Sequence, residues 1–387
     1  MQTFDLTFPG RMHFGEGAFE KALPKELAIA GNTVMLAYGG KSAKESGAYD
    51  AARRMLEASG KRVVDFSGIS PNPTYAKVQE GAALAKAEGV DFILALGGGS
   101  VVDCCKIAAV QAMLDEDIWD YEQKQRKFPM SSLPVGAVIT ASGTGTEQNI
   151  LAVITNDDEN VKDTMIGKHP VFSILDPLLT LTVPRMQVFS GAYDTFSHAM
   201  EAYFGKSDEN NPTDYIALSI MRATVDNVRR LLADFDDIKA RGNLMFTSAM
   251  AINGLLSAGR AMDFQAHMIE HQLGAFTDCN HGQGLAVIQP AYYRMAAKAA
   301  PEKFAKLGRV VFDVRADDDA KAAEEAVDAL ANYIRDCGLP SRLSELRSSI
   351  EITPDVLKRV ADTTILVPTG PIQLDRNQVY EILEECM

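Results

Sequence analysis

Short apolar runs rich in β-branched residues alternate with stretches of helical periodicity along residues 1–185. A short apolar run bounded by polar or glycine-rich positions is typical of a buried strand, whereas apolar positions three and four apart, as in residues 75–87, indicate a helix. Alternation of the two predicts an α/β domain built on a parallel sheet. The predicted strands are residues 33–38, 62–66, 90–96, 135–140 and 171–175.

The strand patterns disappear in residues 186–387. Segments 212–232, 240–258 and 320–337 carry long helical periodicity with few interior breakers. A chain of 387 residues also exceeds the roughly 250 residues beyond which a single core stops growing. We therefore predict an α/β domain over residues 1–185 and an all-helical domain over residues 186–387.

Charge and hydropathy narrow the possible partners. The net charge of -14 argues against a surface for nucleic acid or anionic membranes, which would need clustered positive charge. No apolar run approaches the ~20 residues that a membrane helix requires, and the first residues lack the pattern of a signal peptide. The sequence therefore predicts a cytoplasmic protein without a nucleic-acid or membrane partner.

Two loops rich in small residues follow predicted strands. Strand 90–96 runs directly into Gly97, Gly98, Gly99 and Ser100 and then into an apolar helix, an arrangement that lets backbone N–H groups approach a phosphate. The alternative is structural, since Ser100 and Asp103 could form a capping box and the glycines could simply turn the chain. A second such loop, residues 140–147, favours a nucleotide, because ligands of α/β sheets bind at the carboxyl ends of strands.

One carboxylate and several imidazoles lie in the helical half. Asp194 and His198 are four residues apart, as are His267 and His271, so each pair shares a helix face, and His281 follows. This set suits a divalent ion such as Zn²⁺ or Fe²⁺. Any one of these histidines alone would more often be a core residue. The cluster favours a metal.

Taken together, the motifs resemble those of the iron-containing (group III) alcohol dehydrogenase family, in particular its butanol dehydrogenase-like aldehyde reductases. This resemblance implies a dehydroquinate synthase-like architecture, with an N-terminal NAD(P)-binding domain, a helical metal-binding domain, and assembly as a homodimer. The matching motifs lie at residues 9–15, 38–40, 71–73, 97–103, 143–147, 175–177, 194–198, 267–271 and 281–284.

The resemblance also implies roles for individual residues. The metal ligands would be Asp194, His198, His267 and His281, and His271 would be the catalytic imidazole that faces the nicotinamide. Gly97, Gly98, Gly99 and Ser100 would hold the pyrophosphate, with Asp103 supporting their loop and Thr140 and Lys162 on the nicotinamide side. Considered alone, Lys162 lies in a polar stretch and could equally be a solvated surface residue. Two positions depart from the family pattern, Thr146 in place of Ser and Phe264 in place of Trp.

The segment after strand 33–38 bears on cofactor preference. It reads Gly39, Gly40, Lys41 and Ser42, where NAD-preferring relatives often place an Asp that accepts a hydrogen bond from the ribose 2′-OH. A cation at Lys41 favours the 2′-phosphate of NADPH through charge-assisted hydrogen bonds. The alternative is that Lys41 points to solvent and both cofactors are used alike.

The function that follows is metal-dependent hydride transfer between NAD(P)H and small or medium aldehydes or primary alcohols. A bound Fe²⁺ or Zn²⁺ would act as a Lewis acid on the substrate oxygen. His271 or cofactor hydroxyls would supply the proton. Two alternatives remain at this stage: a dehydroquinate synthase-like lyase, and a catalytically silent nucleotide-binding protein with a structural metal.

Overall fold

The computed structural model describes residues 3–8, 10–206 and 211–387. Pro9, the first residue of the first family-like motif, lies outside them. Contacts divide the chain into two compact units. One is Thr7–Pro184, and the other is Arg185–Met387 together with residues 3–6.

A six-stranded parallel sheet forms the centre of the unit Thr7–Pro184, in the order β1-β8-β5-β4-β2-β3. All five predicted strands are present in it, which confirms the predicted α/β fold class. Three strands were missed: the polar four-residue edge strand β1, and an antiparallel hairpin of β6 and β7 whose sequences mix polar and apolar positions. The strands are β1 (Arg11–Phe14), β2 (Thr33–Tyr38), β3 (Arg62–Phe66), β4 (Phe92–Gly97), β5 (Val135–Ile139), β6 (Leu151–Asn156), β7 (Val161–Ile166) and β8 (Phe172–Leu175).

Helices pack on this sheet and bury its apolar side chains. The helices are α1 (Ala18–Leu27), α2 (Ser42–Glu45), α3 (Ala48–Ala58), α4 (Tyr75–Glu88) and α5 (Gly99–Gln111). Local signals set the bounds of α4, since the Thr74 side chain accepts a hydrogen bond from Lys77 N and Gly89 ends the helix at a φ of 60°. On one side of the sheet, Leu36 of β2 and Leu94 of β4 belong to the same buried cluster as Leu23 of α1.

The unit Arg185–Met387 has no strand among its described residues, which confirms the predicted helical fold. Its helices are α6 (Arg185–Phe204), α7 (Pro212–Ala233), α8 (Ile238–Ala251), α9 (Gln265–Thr277), α10 (His281–Ala299), α11 (Pro301–Val311), α12 (Asp319–Asp336), α13 (Pro354–Thr363) and α14 (Arg376–Glu385). The helix predicted to continue to residue 258 ends at Ala251, because the chain turns at Gly254 with a φ of 90°.

Candidate active site

Helix α6 runs through the core of its unit and carries the first group of predicted ligands. Every residue from Phe189 to Phe204 is buried, so polar side chains in this stretch must find partners inside the protein. Asp194, His198 and Glu201 are spaced by four and three residues and therefore lie along one helix face. The helix thus presents a carboxylate, an imidazole and a second carboxylate in sequence along that face.

A tight connection brings the second group of histidines to the same place. Helix α9 is flanked by Phe264 and Asp278, which both lie in the left-handed region with φ values of 56° and 51°. Only three residues separate α9 from His281 at the start of α10, and the Asn280 side chain caps that start by accepting from Gln283 N. The chain therefore reverses quickly enough for His281 to return to the His267 side of the site.

Three imidazoles converge on a single carboxylate oxygen. Asp194 Oδ1 lies 3.7 Å from Nε2 of His198, 3.7 Å from Nε2 of His267 and 3.4 Å from Nε2 of His281. Ligands of a tetrahedral ion with bonds of ~2.1 Å lie about 3.4 Å apart. These separations are longer than hydrogen bonds and match the edges of such a coordination shell.

The unpartnered atoms at this point also fit a cation. Asp194 Oδ1 and His267 Nε2 are buried and have no hydrogen-bond partner among the described residues. Burial alone lowers the pKa of His267, but the negative charges of Glu201 and Asp194 raise it to about 10. The carboxylates beside His267 therefore stabilise positive charge, although burial lowers the pKa of His198 to about 4, and a divalent ion would supply positive charge while satisfying the unpartnered atoms.

Glu201 holds the His267 ring from behind. Its Oε1 lies 2.7 Å from His267 Nδ1 and accepts from Gln289 Nε2 at 2.9 Å and from Ser197 Oγ at 3.3 Å. A carboxylate bonded to Nδ1 fixes the tautomer that leaves Nε2 available as a ligand. The carboxylate is fully buried, so its role is internal to the site.

Glu270 plays the equivalent part behind His281. Its Oε2 forms a short hydrogen bond with His281 Nδ1, on the opposite side of the ring from Asp194. A Cβ at Gly284 would lie only 2.8 Å from Glu270 Cγ, so glycine there leaves room for this carboxylate.

Sequence reasoning left Glu201 and Glu270 out of the site. The signal that could have found Glu201 is its spacing of seven from Asp194, which places it on the ligand-bearing face.

His271 is buried beside the three converging imidazoles rather than among them. Its ring centroid is 6.1 Å from that of His267 and 5.6 Å from that of His281. Ligand-type atoms of Glu270, His271 and His281 also approach one another, but Glu270 uses the second nitrogen of His281. Because the two nitrogens of one ring point in different directions, Glu270 contacts His281 on the side opposite to Asp194.

In the other unit, the glycine-rich turn has the form expected for phosphate binding. Helix α5 starts at Gly99 with Gly98 at its N-cap, and no side chain caps its first turn. The capping box considered for Ser100 and Asp103 does not form: Ser100 Oγ instead donates to Pro71 O, and Asp103 accepts from Thr146 and Val153. The N–H groups at this helix start are therefore not used by a local cap.

The second small-residue loop lies directly against this turn. Thr140 N donates to Gly97 O at 2.9 Å, and a Cβ at Gly99 would collide with the Thr144 side chain. The two loops are thus brought together at the carboxyl ends of the neighbouring strands β4 and β5. This is the edge of a parallel sheet at which ligands bind.

The remaining predicted cofactor residues lie in two further places in this unit. Gly39 and Gly40 follow β2, and Lys41 and Ser42 are exposed at the start of the one-turn helix α2. Lys162 lies on β7 opposite Thr155 and is only 4% exposed, so the alternative of a solvated surface lysine is wrong.

Comparison with known proteins places this architecture in a family. Residues 9–177 match the family described as "Iron-containing alcohol dehydrogenase", and residues 188–387 match "Fe-containing alcohol dehydrogenase family, C-terminal". The chain belongs to the iron-containing alcohol dehydrogenase family. Membership confirms the predicted class of enzyme, an NAD(P)-dependent oxidoreductase of alcohols or aldehydes that contains a metal.

Individual relatives are similar over the whole chain. The "Probable NADH-dependent butanol dehydrogenase 1" of Bacillus subtilis is 36% identical, with 100% of each chain covered. The "NADPH-dependent aldehyde reductase" of Escherichia coli is 32% identical, covering 98% of this chain and 99% of the relative. The crystal structure of NADH-dependent butanol dehydrogenase A from Thermotoga maritima superposes with a TM-score of 0.91 at 32% identity, covering 100% of this chain and 99% of that one.

None of the described helices is long and apolar enough to cross a membrane.

Proposed function

We propose that this enzyme reduces small and medium unbranched aldehydes to primary alcohols, and catalyses the reverse, with NADPH as the preferred hydride donor. The observation that carries the proposal is the convergence of three imidazole Nε2 atoms on Asp194 Oδ1. We assign one divalent ion to Asp194, His198, His267 and His281. Fe²⁺ and Zn²⁺ both accept this set of nitrogen and oxygen ligands.

Some residues of the site would bind the ion, and others orient the imidazole rings that bind it. Asp194 supplies the single negative charge among the ligands, and Glu201 and Glu270 keep the rings of His267 and His281 turned so that Nε2 faces it. The bound ion supplies Lewis acidity toward the substrate oxygen. Orientation by buried carboxylates reduces the reorganisation needed at each turnover.

His271 is assigned to proton transfer. It is an imidazole left over from the ligand set, and it is buried within contact distance of the rings that hold the ion. An imidazole both donates and accepts protons, so His271 can pass a proton to the product oxygen and regain it from solvent or from cofactor hydroxyls. Hydride transfer itself requires no protein base.

The cofactor is assigned to the loops at the carboxyl edge of the sheet. The uncapped N–H groups of Gly98, Gly99 and Ser100 suit the pyrophosphate. Thr140 and Lys162 are assigned to the nicotinamide side. Lys41, which is exposed beside Gly40 where a carboxylate would disfavour a 2′-phosphate, supports the preference for NADPH.

The charge of the metal-bearing segments supports an uncharged substrate. Residues 194–201 and 267–281 contain no lysine or arginine. A phosphorylated or strongly acidic substrate would require such cations near the reacting atoms. We therefore expect simple aldehydes to be preferred over sugar phosphates.

A turnover assay tests the proposal. The purified enzyme should oxidise NADPH in the presence of butanal, should lose this activity when a chelator removes the metal, and should regain it when Fe²⁺ or Zn²⁺ is added back. A substrate series should show faster turnover of butanal than of aldose phosphates. Full activity of a demonstrably metal-free enzyme, or fastest turnover of a sugar phosphate, would contradict the assignment.

A further inference from the structure

A lysine that no part of the proposed mechanism uses lies buried on the helix that follows the glycine-rich turn. Lys106 is the eighth residue of α5 and has no exposed surface. Lysine is almost never fully buried unless its charge is paired. Its partners therefore indicate why it is there.

The Lys106 ammonium group bonds to one short segment of chain. It donates to Thr146 Oγ1 and to Leu151 O in short hydrogen bonds, and to Asn149 O at 3.2 Å and Asn149 Oδ1 at 3.3 Å. Thr146 lies at the end of the second small-residue loop, Leu151 is the first residue of β6, and Asn149 lies between the two. The lysine thus ties α5 to the loop that faces the cofactor-binding turn.

Asp103, one turn earlier on α5, holds the same segment from its other side. Its Oδ1 accepts from Thr146 Oγ1 at 2.5 Å and lies 3.9 Å from the Lys106 ammonium, and its Oδ2 accepts from Val153 N at 3.0 Å. The Thr146 hydroxyl therefore connects two opposite charges that belong to one turn of α5. A buried network in which every member is paired is rigid.

We propose that Lys106 is a positioning residue for the nicotinamide cofactor, which keeps the loop of residues 140–147 packed against the turn of Gly97–Ser100 through Asp103 and Thr146. The inference rests on the cofactor assignment made under the proposed function. Loops that are already in the bound arrangement do not have to be ordered when the cofactor arrives. Loss of the network should therefore weaken cofactor binding more than it lowers the turnover rate of the enzyme with cofactor bound.

The surroundings of Lys106 support a charged group. Burial lowers its pKa to about 8, and the negative charges of Asp103 and Glu147 oppose that shift. The ammonium form therefore predominates at neutral pH and can donate to its carbonyl and hydroxyl partners. A methionine at this position would fill similar space without donating.

The first test compares Lys106→Met with wild type. We expect the dissociation constant for NADPH, measured by the change in NADPH fluorescence on binding, to rise at least tenfold. The kcat at saturating NADPH should change less than the KM for NADPH, and metal content should stay at the wild-type level. Lys86→Met, which removes an exposed lysine on α4 whose ammonium donates to Leu114 O, serves as the matched control and should leave all of these values unchanged.

A second pair of variants separates positioning from general stability. Thr146→Ser keeps the hydroxyl and should bind NADPH as wild type does, whereas Thr146→Val removes it and should bind several-fold more weakly. If Lys106→Met lowers the melting temperature but leaves the NADPH dissociation constant unchanged, the inference is wrong. Should Lys106→Met fail to fold, equal NADPH affinity of the Ser and Val variants would overturn it. A wild-type enzyme that does not bind NADPH at all would contradict the proposed function as well.

Discussion

At the scale of single residues, the site depends on which nitrogen of each imidazole faces the ligand cluster. Spacing along the sequence predicted that Asp194 and His198 share a face, but ring orientation depends on partners that are distant in sequence. Glu201 is 66 residues from His267, and the two meet because α6 and α9 both pack against α10. Such pairings arise from tertiary packing, which local patterns do not record.

Glu201→Gln tests the role of the buried carboxylate. The amide lacks the charge that holds Nδ1 of His267, so we expect the affinity for the divalent ion to fall by roughly 10–100-fold while the protein still folds. Metal affinity is measured by competition with a chromogenic chelator. Glu324→Gln, on the exposed side of α12, is the control. Unchanged affinity in Glu201→Gln would show that the carboxylate does not orient the ligand.

Lys41→Asp tests the assignment of cofactor preference. Replacing the cation by a carboxylate should repel a 2′-phosphate and offer an acceptor to a ribose 2′-OH, so kcat/KM should shift toward NADH by at least about tenfold. The measurement is the ratio of kcat/KM for NADPH to that for NADH in both proteins. A wild type that prefers NADH, or a ratio that the substitution leaves unchanged, would remove Lys41 from the cofactor site.

At the scale of elements, the sequence predicted those with strong periodicity and missed those held mainly by their neighbours. Strand 33–38 has the bounds predicted for it because it is a compact apolar run, and strand 62–66 has its predicted bounds although Arg62 and Asp65 are exposed. The hairpin of β6 and β7 was missed because its sequence mixes polar and apolar residues. Pairing between the two strands stabilises it, and no local apolar pattern shows that pairing. This omission made Lys162 look like a surface residue although it is buried on β7.

Glu147, in the short turn Thr146–Gln148, should make the stability of the α/β unit depend on pH. Burial raises its pKa to about 7, whereas an unfolded glutamate titrates near 4.5. Between these values the folded protein keeps a proton that the unfolded chain releases, so stability should fall as pH rises from about 4.5 to about 7. Between pH 4.5 and 7 the free energy of unfolding of Glu147→Gln should therefore fall by roughly 1–3 kcal/mol less than that of wild type.

Denaturant unfolding followed by the fluorescence of Trp119, the single tryptophan, measures this effect. Trp119 lies in the same unit as Glu147, so its signal reports on the relevant unfolding. Glu20→Gln, an exposed position on α1, is the control and should retain the wild-type slope. Parallel pH profiles of wild type and Glu147→Gln would contradict the raised pKa.

At the scale of the whole molecule, each unit provides one part of the proposed chemistry. The parallel sheet ends in two loops that meet at Gly99 and Thr144, and the helical unit gathers the imidazoles of His198, His267 and His281 around Asp194. Several of the motifs by which the family was recognised from sequence lie in these loops and in this cluster. The buried supports of the motifs, Lys106 and Glu270 among them, became apparent only when the packing was known.

The most direct test of the account is the metal content and butanal-dependent NADPH oxidation of Asp194→Ala, measured on the same preparation. We expect about one divalent ion per chain in wild type. The variant should lose both metal and activity, because it lacks the negative charge that the three imidazoles surround. Asp236→Ala, in the turn before α8, should behave as wild type. An Asp194→Ala enzyme that keeps its activity without bound metal would contradict the central claim.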